Sequence, residues 1–115
     1  MEALVNGHFN SVWDKYLRIY PRLLKFERPI IELNPRSFRT AGICYVEENR
    51  IQLSKKLLLS RHREEMLQVV LPHEVAHQVD FNFHGLPKRW HRESWKQIMR
   101  DYGLPPNLYH DMTLP

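Results

Sequence analysis

The sequence contains a single cysteine, Cys44, among its 115 residues. One cysteine excludes a disulfide within the chain and a zinc ribbon built on four cysteines, and it is typical of a reducing compartment such as the cytosol. No apolar run approaches the roughly 20 residues of a membrane-spanning helix, and no basic start followed by an apolar stretch marks a targeting signal. We therefore predict a cytoplasmic protein with no membrane partner, in which histidines and carboxylates would hold any metal.

Net charge and length say less than composition about the partners and domain organisation of the protein. The formal net charge is +4 with histidines neutral. Because the basic residues are dispersed, a solvated basic surface is a simpler interpretation than an acidic partner. The length predicts one small domain over residues 1–115, whose thin core would gain stability from a bound metal.

Hydrophobic periodicity predicts an α+β domain. In chain order, the predicted elements are an amphipathic helix over residues 8–20, a strand over 28–35, a β-hairpin over 40–54, a helical turn over 55–60, a long helix from about residue 60, a loop over 84–90 and a helix over 91–103. The strands are expected to form a small antiparallel sheet. Ser60 is a candidate N-cap, and Gly103 is a candidate C-cap. Pro72 predicts a kink or restart in the long helix, because proline removes a helical hydrogen bond.

The stretch LPHEVAHQVD, residues 71–80, places two histidines four positions apart, with a glutamate directly after the first. On a helix, His73 and His77 would share one face and could direct imidazole nitrogens at one metal about 2.0–2.1 Å away. Glu74 would be offset around the helix, within reach of a metal-bound water, as in the H-E-x-x-H motif. A chance match is the alternative. However, the apolar turns before the motif predict a buried helix, in which these polar groups are costly unless paired or metal-bound.

A catalytic zinc site needs a third protein ligand, and three residues are candidates. The metzincin pattern H-E-x-x-H-x-x-G-x-x-H fails, because it requires glycine at Asp80 and histidine at Phe83. His84 lies one position beyond that spacing, and Glu93 could serve as a glutamate ligand. His91 is preferred, because it opens the next helix after a loop long enough to fold that helix back against the first.

Three segments resemble the SprT family of zinc-metallopeptidase-like proteins: AGICYVEENRIQLSKKLLL, VVLPHEVAH and WHRESWKQIMRDYGLPPNLYHDM, which cover most of residues 40–112. The resemblance implies a small zincin-like α+β fold with the site on two helices. It implies one Zn²⁺ ion per chain held by His73, His77 and His91, with Glu74 as the catalytic acid/base. It also implies relatedness to the eukaryotic Spartan proteases, which degrade proteins crosslinked to DNA.

Two features depart from the family pattern. The residue after the third histidine is usually glycine, and here it is Arg92, which leaves the local backbone conformation open. Many bacterial members also continue into a cysteine-rich zinc ribbon. The sequence ends about where that ribbon would begin, so we expect a domain that lacks it.

Some polar residues have roles that the sequence leaves open. Asp80 could orient His77 through a hydrogen bond, although a solvated carboxylate at the helix end is the simpler interpretation. Tyr109 and His110 could stabilise an oxyanion if the C-terminal segment folds over the metal. A group of basic residues could contact phosphates or form a solvated helix face. These residues are Lys88, Arg89, Arg92, Lys96 and Arg100.

Apolar and weakly polar residues near the motif are predicted to be structural. Trp90 and Trp95 are expected in the core rather than in contact with a substrate. Cys44 lies in a strand pattern, where a small buried side chain is a simpler interpretation than a nucleophile.

The favoured function is a zinc-dependent metallopeptidase that hydrolyses peptide bonds in protein or peptide substrates, with DNA-associated or DNA-crosslinked proteins as the targets that the resemblance implies. The alternative is a catalytically weak or inactive zinc-binding module associated with nucleic acid. A third hypothesis, an inactive helical scaffold with a chance motif, predicts no bound metal.

Overall fold

The computed structural model describes residues 1–36 and 39–106 and confirms the α+β class. The regular elements are α1 (Glu2–Ile19), β1 (Ile30–Asn34), β2 (Gly42–Tyr45), β3 (Arg50–Ser54), α2 (Lys55–Leu58), α3 (Arg63–Glu65), α4 (Leu71–His84) and α5 (Glu93–Tyr102). Short 3₁₀ turns occupy Pro21–Lys25 and Val46–Glu48. Among the described residues, every helix is too short or too polar to span a bilayer.

Helix α1 packs one apolar face against the rest of the domain. The buried residues of this face recur every three or four positions and are Val5, Phe9, Val12, Trp13 and Tyr16. The helix begins at Glu2, earlier than predicted, because the apolar face already starts at Val5. It ends just before Pro21, as the proline predicts. The buried Tyr16 hydroxyl donates a hydrogen bond to the Pro72 carbonyl at 3.1 Å, which ties α1 to the first turn of α4.

The sheet has three strands in the order β1–β3–β2. β2 and β3 form the predicted antiparallel hairpin, and Asn49 turns the chain with a left-handed backbone (φ 53°). The sheet is mixed rather than wholly antiparallel, because β1 pairs with β3 in parallel, with Ile31 opposite Ile51. Two chain reversals, one after β1 and one at the hairpin, return β3 to the direction of β1. Since β3 lies in the middle, β2 is left at an edge of the sheet.

Helical backbone continues from α3 through a π-helical turn (Met66–Val70) into α4. The helix begins after Ser60 rather than at it, and the Ser60 hydroxyl instead accepts the amide hydrogen of His62 at 3.1 Å. The π turn lies immediately before α4, whose second residue is Pro72. The missing amide hydrogen and the ring of this proline do not fit a regular α-helical turn. The predicted interruption is therefore a wider turn within one helix.

Helix α5 begins at Glu93, two residues later than the predicted start at His91. His91 has a left-handed backbone (φ 61°), and Arg92 is extended (φ −66°, ψ 169°). Gly103 ends the helix at φ 104°, as predicted. The buried residues of α5, which belong to the core that α4 also enters, are Trp95, Ile98 and Met99. Packing of α5 on α4 returns His91 to the side of the motif.

Candidate metal centre

Three histidines converge from α4 and from the segment before α5. His73 and His77 lie on one face of α4. One imidazole nitrogen from each of the three histidines lies within 4.8 Å of such a nitrogen of the other two. The Nε2 atoms of His73 and His91 are 3.2 Å apart. Two nitrogens bound to one tetrahedral zinc at about 2.0–2.1 Å would be roughly 3.3 Å apart. The three side chains could therefore hold a single metal ion.

The rings of all three histidines pack against the indole ring of Trp95. Its indole ring is fully buried and lies 4.7 Å from the His73 ring, 5.1 Å from the His77 ring and 4.6 Å from the His91 ring, centroid to centroid. The indole N–H also donates to the His73 carbonyl at 3.3 Å. The predicted core position of Trp95 is confirmed, but its support of the histidines was missed. Its position four residues after His91 within the predicted helix over 91–103 is the sequence signal that could have revealed it, although His91 itself lies before the observed helix.

Burial keeps the His77 imidazole neutral. Loss of hydration, with a further contribution from neighbouring His91, lowers the pKa of His77 to about 3. A metal binds the neutral imidazole through its nitrogen lone pair. At neutral pH no proton has to leave His77 before a metal binds.

Glu74 brings a carboxylate into the same cleft. The residue is 7% exposed, and its Oε2 lies 3.8 Å from Nε2 of His73. Burial raises the pKa of Glu74 to about 8, because the charged form loses its hydration, and a nearby cation would oppose this shift. Glu74 is therefore a buried group whose proton exchange occurs close to neutral pH.

An open cleft of about 480 Å³ lies over the imidazoles. The cleft is lined by the three histidines, by Glu74 and by residues 39–44, which include much of the edge strand β2. Trp90 also lines the cleft and is 51% exposed, so the prediction of a core position for it is wrong. It belongs to the loop before α5 rather than to the packed face of that helix. Its ring meets the His77 ring edge-on, with the centroids 5.6 Å apart.

Gly42 allows the Glu74 side chain to lie against β2. A Cβ at this position would be 3.0 Å from Cγ of Glu74, 3.2 Å from Cδ2 of Leu53 and 3.2 Å from Cγ1 of Val70. All three distances are shorter than ordinary van der Waals contact. A glycine inside a strand often marks such a close approach, and this signal was missed in the sequence.

The two alternative third ligands lie away from the histidine cluster. His84 is exposed at the last position of α4. The side chain of Glu93 is 77% exposed, and its Oε1 accepts from Arg100 at 3.0 Å. Of the three candidates, His91 is the one that the fold brings beside His73 and His77.

Asp80 is neither solvated nor directed at His77. It is 3% exposed, and its carboxylate accepts hydrogen bonds from Arg92 Nε at 2.8 Å and from Ser94 Oγ at 2.6 Å. The simpler interpretation of the sequence is therefore wrong, because α5 packs over the end of α4 and covers this side chain. Arg92 has φ −66°, a value open to any residue, so the glycine typical of the family is not required there.

The remaining sequence candidates contribute less to the site. Burial raises the pKa of the Cys44 thiol, which donates to Gln78 Oε1 at 3.5 Å, so a thiolate nucleophile is not favoured. Tyr109 and His110 lie outside the described residues. Of the five basic residues near the motif, Arg92 and Arg100 already pair with carboxylates. Contact with phosphates stays a prediction for the others.

A sequence model of the SprT-like family matches residues 9–112, and the chain therefore belongs to this family. One relative, Protein SprT of Pseudomonas paraeruginosa, is 32% identical over 111 residues, which is 96% of this chain and 62% of that protein. Protein SprT of Pasteurella multocida is 35% identical over 112 residues, 96% of this chain and 58% of that protein. Protein SprT of Pseudomonas aeruginosa is 36% identical over 86 residues, 74% of this chain and 51% of that protein. The chain thus spans between 51% and 62% of the length of these relatives.

Gly42→Ala should destabilise the domain, because the added methyl group meets three packed side chains. We expect the free energy of unfolding, measured by urea denaturation with a chelator present, to fall by about 1–3 kcal/mol. Glu74→Ala in the same chain should reduce this loss, because it removes the nearest of the three contacts.

Gly7→Ala is the matched control. No atom lies within 4 Å of the position of its Cβ, and alanine within α1 should leave stability unchanged or raise it by up to about 1 kcal/mol. Equal losses in the two glycine variants, or no loss in Gly42→Ala, would contradict the close contact of Glu74 with β2.

Proposed function

We propose that the protein is a zinc-dependent metallopeptidase. The observation that supports this most directly is the presence of three imidazoles and the Glu74 carboxylate on one open cleft. Three protein ligands leave one coordination position for water or substrate, which is typical of catalytic zinc, whereas structural zinc sites are closed by four. Imidazoles also suit Zn²⁺ better than they suit Mg²⁺ or Ca²⁺, which prefer oxygen ligands. Membership of the SprT-like family agrees with this proposal.

The residues of the cleft divide the chemistry between them. A zinc ion held by the three histidines would polarise the scissile carbonyl and make a nearby water more acidic. Glu74 would accept the proton of that water on a carboxylate oxygen and deliver it to the departing amide nitrogen. Burial raises the basicity of the Glu74 carboxylate, and the positive charge of the metal opposes this effect.

The cleft suits an extended stretch of polypeptide. The edge strand β2 borders it, and a substrate segment could add to that strand through backbone hydrogen bonds. Trp90 at the rim offers an aromatic surface to an apolar substrate side chain. We therefore propose that the substrates are unfolded or extended segments of proteins. Proteins bound to DNA are proposed as targets from the family resemblance alone.

Metal content tests the site itself. Wild-type protein purified without added metal should contain about one zinc per chain by plasma mass spectrometry. His91→Ala should lose most of this zinc, whereas His84→Ala should retain it, because His84 is exposed at the end of α4. Equal zinc in all three proteins would place the third ligand elsewhere. A wild type without zinc, even after zinc is added, would contradict the metal centre.

Cleavage by Glu74→Gln tests the chemistry. This variant should keep its zinc and lose roughly 10²–10⁴-fold in the rate of cleavage of an unfolded protein such as casein, because glutamine cannot accept the proton. Glu93→Gln is the control and should cleave at the wild-type rate, since Glu93 is exposed and pairs with Arg100. The assay should be run with and without single-stranded DNA. Wild-type activity in Glu74→Gln would refute the assignment, and a zinc-loaded wild type that cleaves nothing would favour the binding module.

A further inference from the structure

A partly buried polar network joins α4 to the start of α5. Oδ2 of Asp80 accepts from Arg92 Nε at 2.8 Å, and Oδ1 accepts from Ser94 Oγ at 2.6 Å. Nη2 of Arg92 also donates to the Gly85 carbonyl at 2.7 Å. The guanidinium group of Arg92 therefore bridges a side chain within α4 and the backbone at the end of that helix.

This network lies directly beside an unfavourable backbone conformation. His91 has φ 61°, where the Cβ of any residue other than glycine crowds the following carbonyl. Such a conformation persists only where the surroundings hold it. The His91 ring is held by its contact with Trp95, at 4.6 Å between centroids. The backbone that follows is held by the two hydrogen bonds of Arg92.

We propose that Arg92 and Asp80 are positioning residues for His91. Their ion pair fixes the backbone that presents the third imidazole to the metal, although neither residue lines the cleft. Because this role presupposes the metal centre of the proposed function, its test must separate the two.

The burial of this pair distinguishes it from an ordinary surface ion pair. The side chains of Arg92 and Asp80 are 25% and 5% exposed, whereas those of Arg100 and Glu93 on α5 are 45% and 77% exposed. A pair with one buried partner is screened less by solvent and salt than a fully exposed one. The planar guanidinium also directs separate N–H groups at the carboxylate and at the Gly85 carbonyl, which a lysine ammonium reproduces poorly.

The dissociation constant for zinc, measured by competition with a chromophoric chelator, tests the proposal. Arg92→Ala and Asp80→Asn should each bind zinc about 10–100-fold more weakly than the wild type. Arg92→Lys should lie in between, because it keeps the charge and loses the second directed contact. Arg100→Ala removes an exposed arginine from the same helix and should stay within about 2-fold of the wild type.

Urea unfolding of the same proteins in chelator separates positioning from plain stability. Loss of stability in Arg92→Ala and Asp80→Asn with an unchanged zinc dissociation constant would overturn the proposal, since both would then act on the fold alone. Weaker zinc binding by protein that remains folded without metal would support it. If Arg92→Ala does not fold, the zinc dissociation constants of Arg92→Lys and Asp80→Asn test the positioning role instead. A wild type that binds no zinc would refute the metal centre, whereas equal zinc binding by wild type and variants would refute only the positioning role.

Discussion

Burial of polar side chains on α4 is the constraint on which the rest of the structure depends. The helix places five such residues out of solvent: His73, Glu74, His77, Gln78 and Asp80. Buried polar groups without partners would each cost a large share of the marginal stability of a small domain. Gln78 donates to the Val46 carbonyl and to Asn82, and Asp80 is matched by Arg92 and Ser94. The histidines and Glu74 gather at one cleft, where a metal ion would compensate their burial.

The side chains that contact the histidines and Asp80 on α4 come largely from α5 and the segment before it. Apolar side chains of α5 pack into the shared core, and Trp95 supplies a rigid surface against which all three imidazoles lie. The polar bonds of Asp80 then fix the position at which α5 begins. The histidines and β2 line the same open cleft. The packing that stabilises the domain therefore also leaves an open cleft beside the histidines.

Local sequence patterns predict the parts of the site that lie on a single element. The four-residue spacing of His73 and His77 places both side chains on one face of a helix, however that helix packs in the fold. His91 remains one of three candidates in the sequence, because its selection depends on how the loop before α5 folds back. The burial of Asp80 and the exposure of Trp90 depend on the same packing, for which no local signal exists. Periodicity likewise identifies the three strands and the hairpin of β2 with β3, but not the partner of β1, so the parallel pairing of β1 with β3 required the structure.

The location of a bound metal tests the central claim most directly. Crystals grown with zinc should show one anomalous scattering peak at the zinc absorption edge, about 2.0–2.1 Å from a nitrogen of His73, His77 and His91, with a fourth position not occupied by protein. A peak at other residues, a fourth protein ligand or no peak in zinc-saturated crystals would contradict a catalytic metal centre on this cleft.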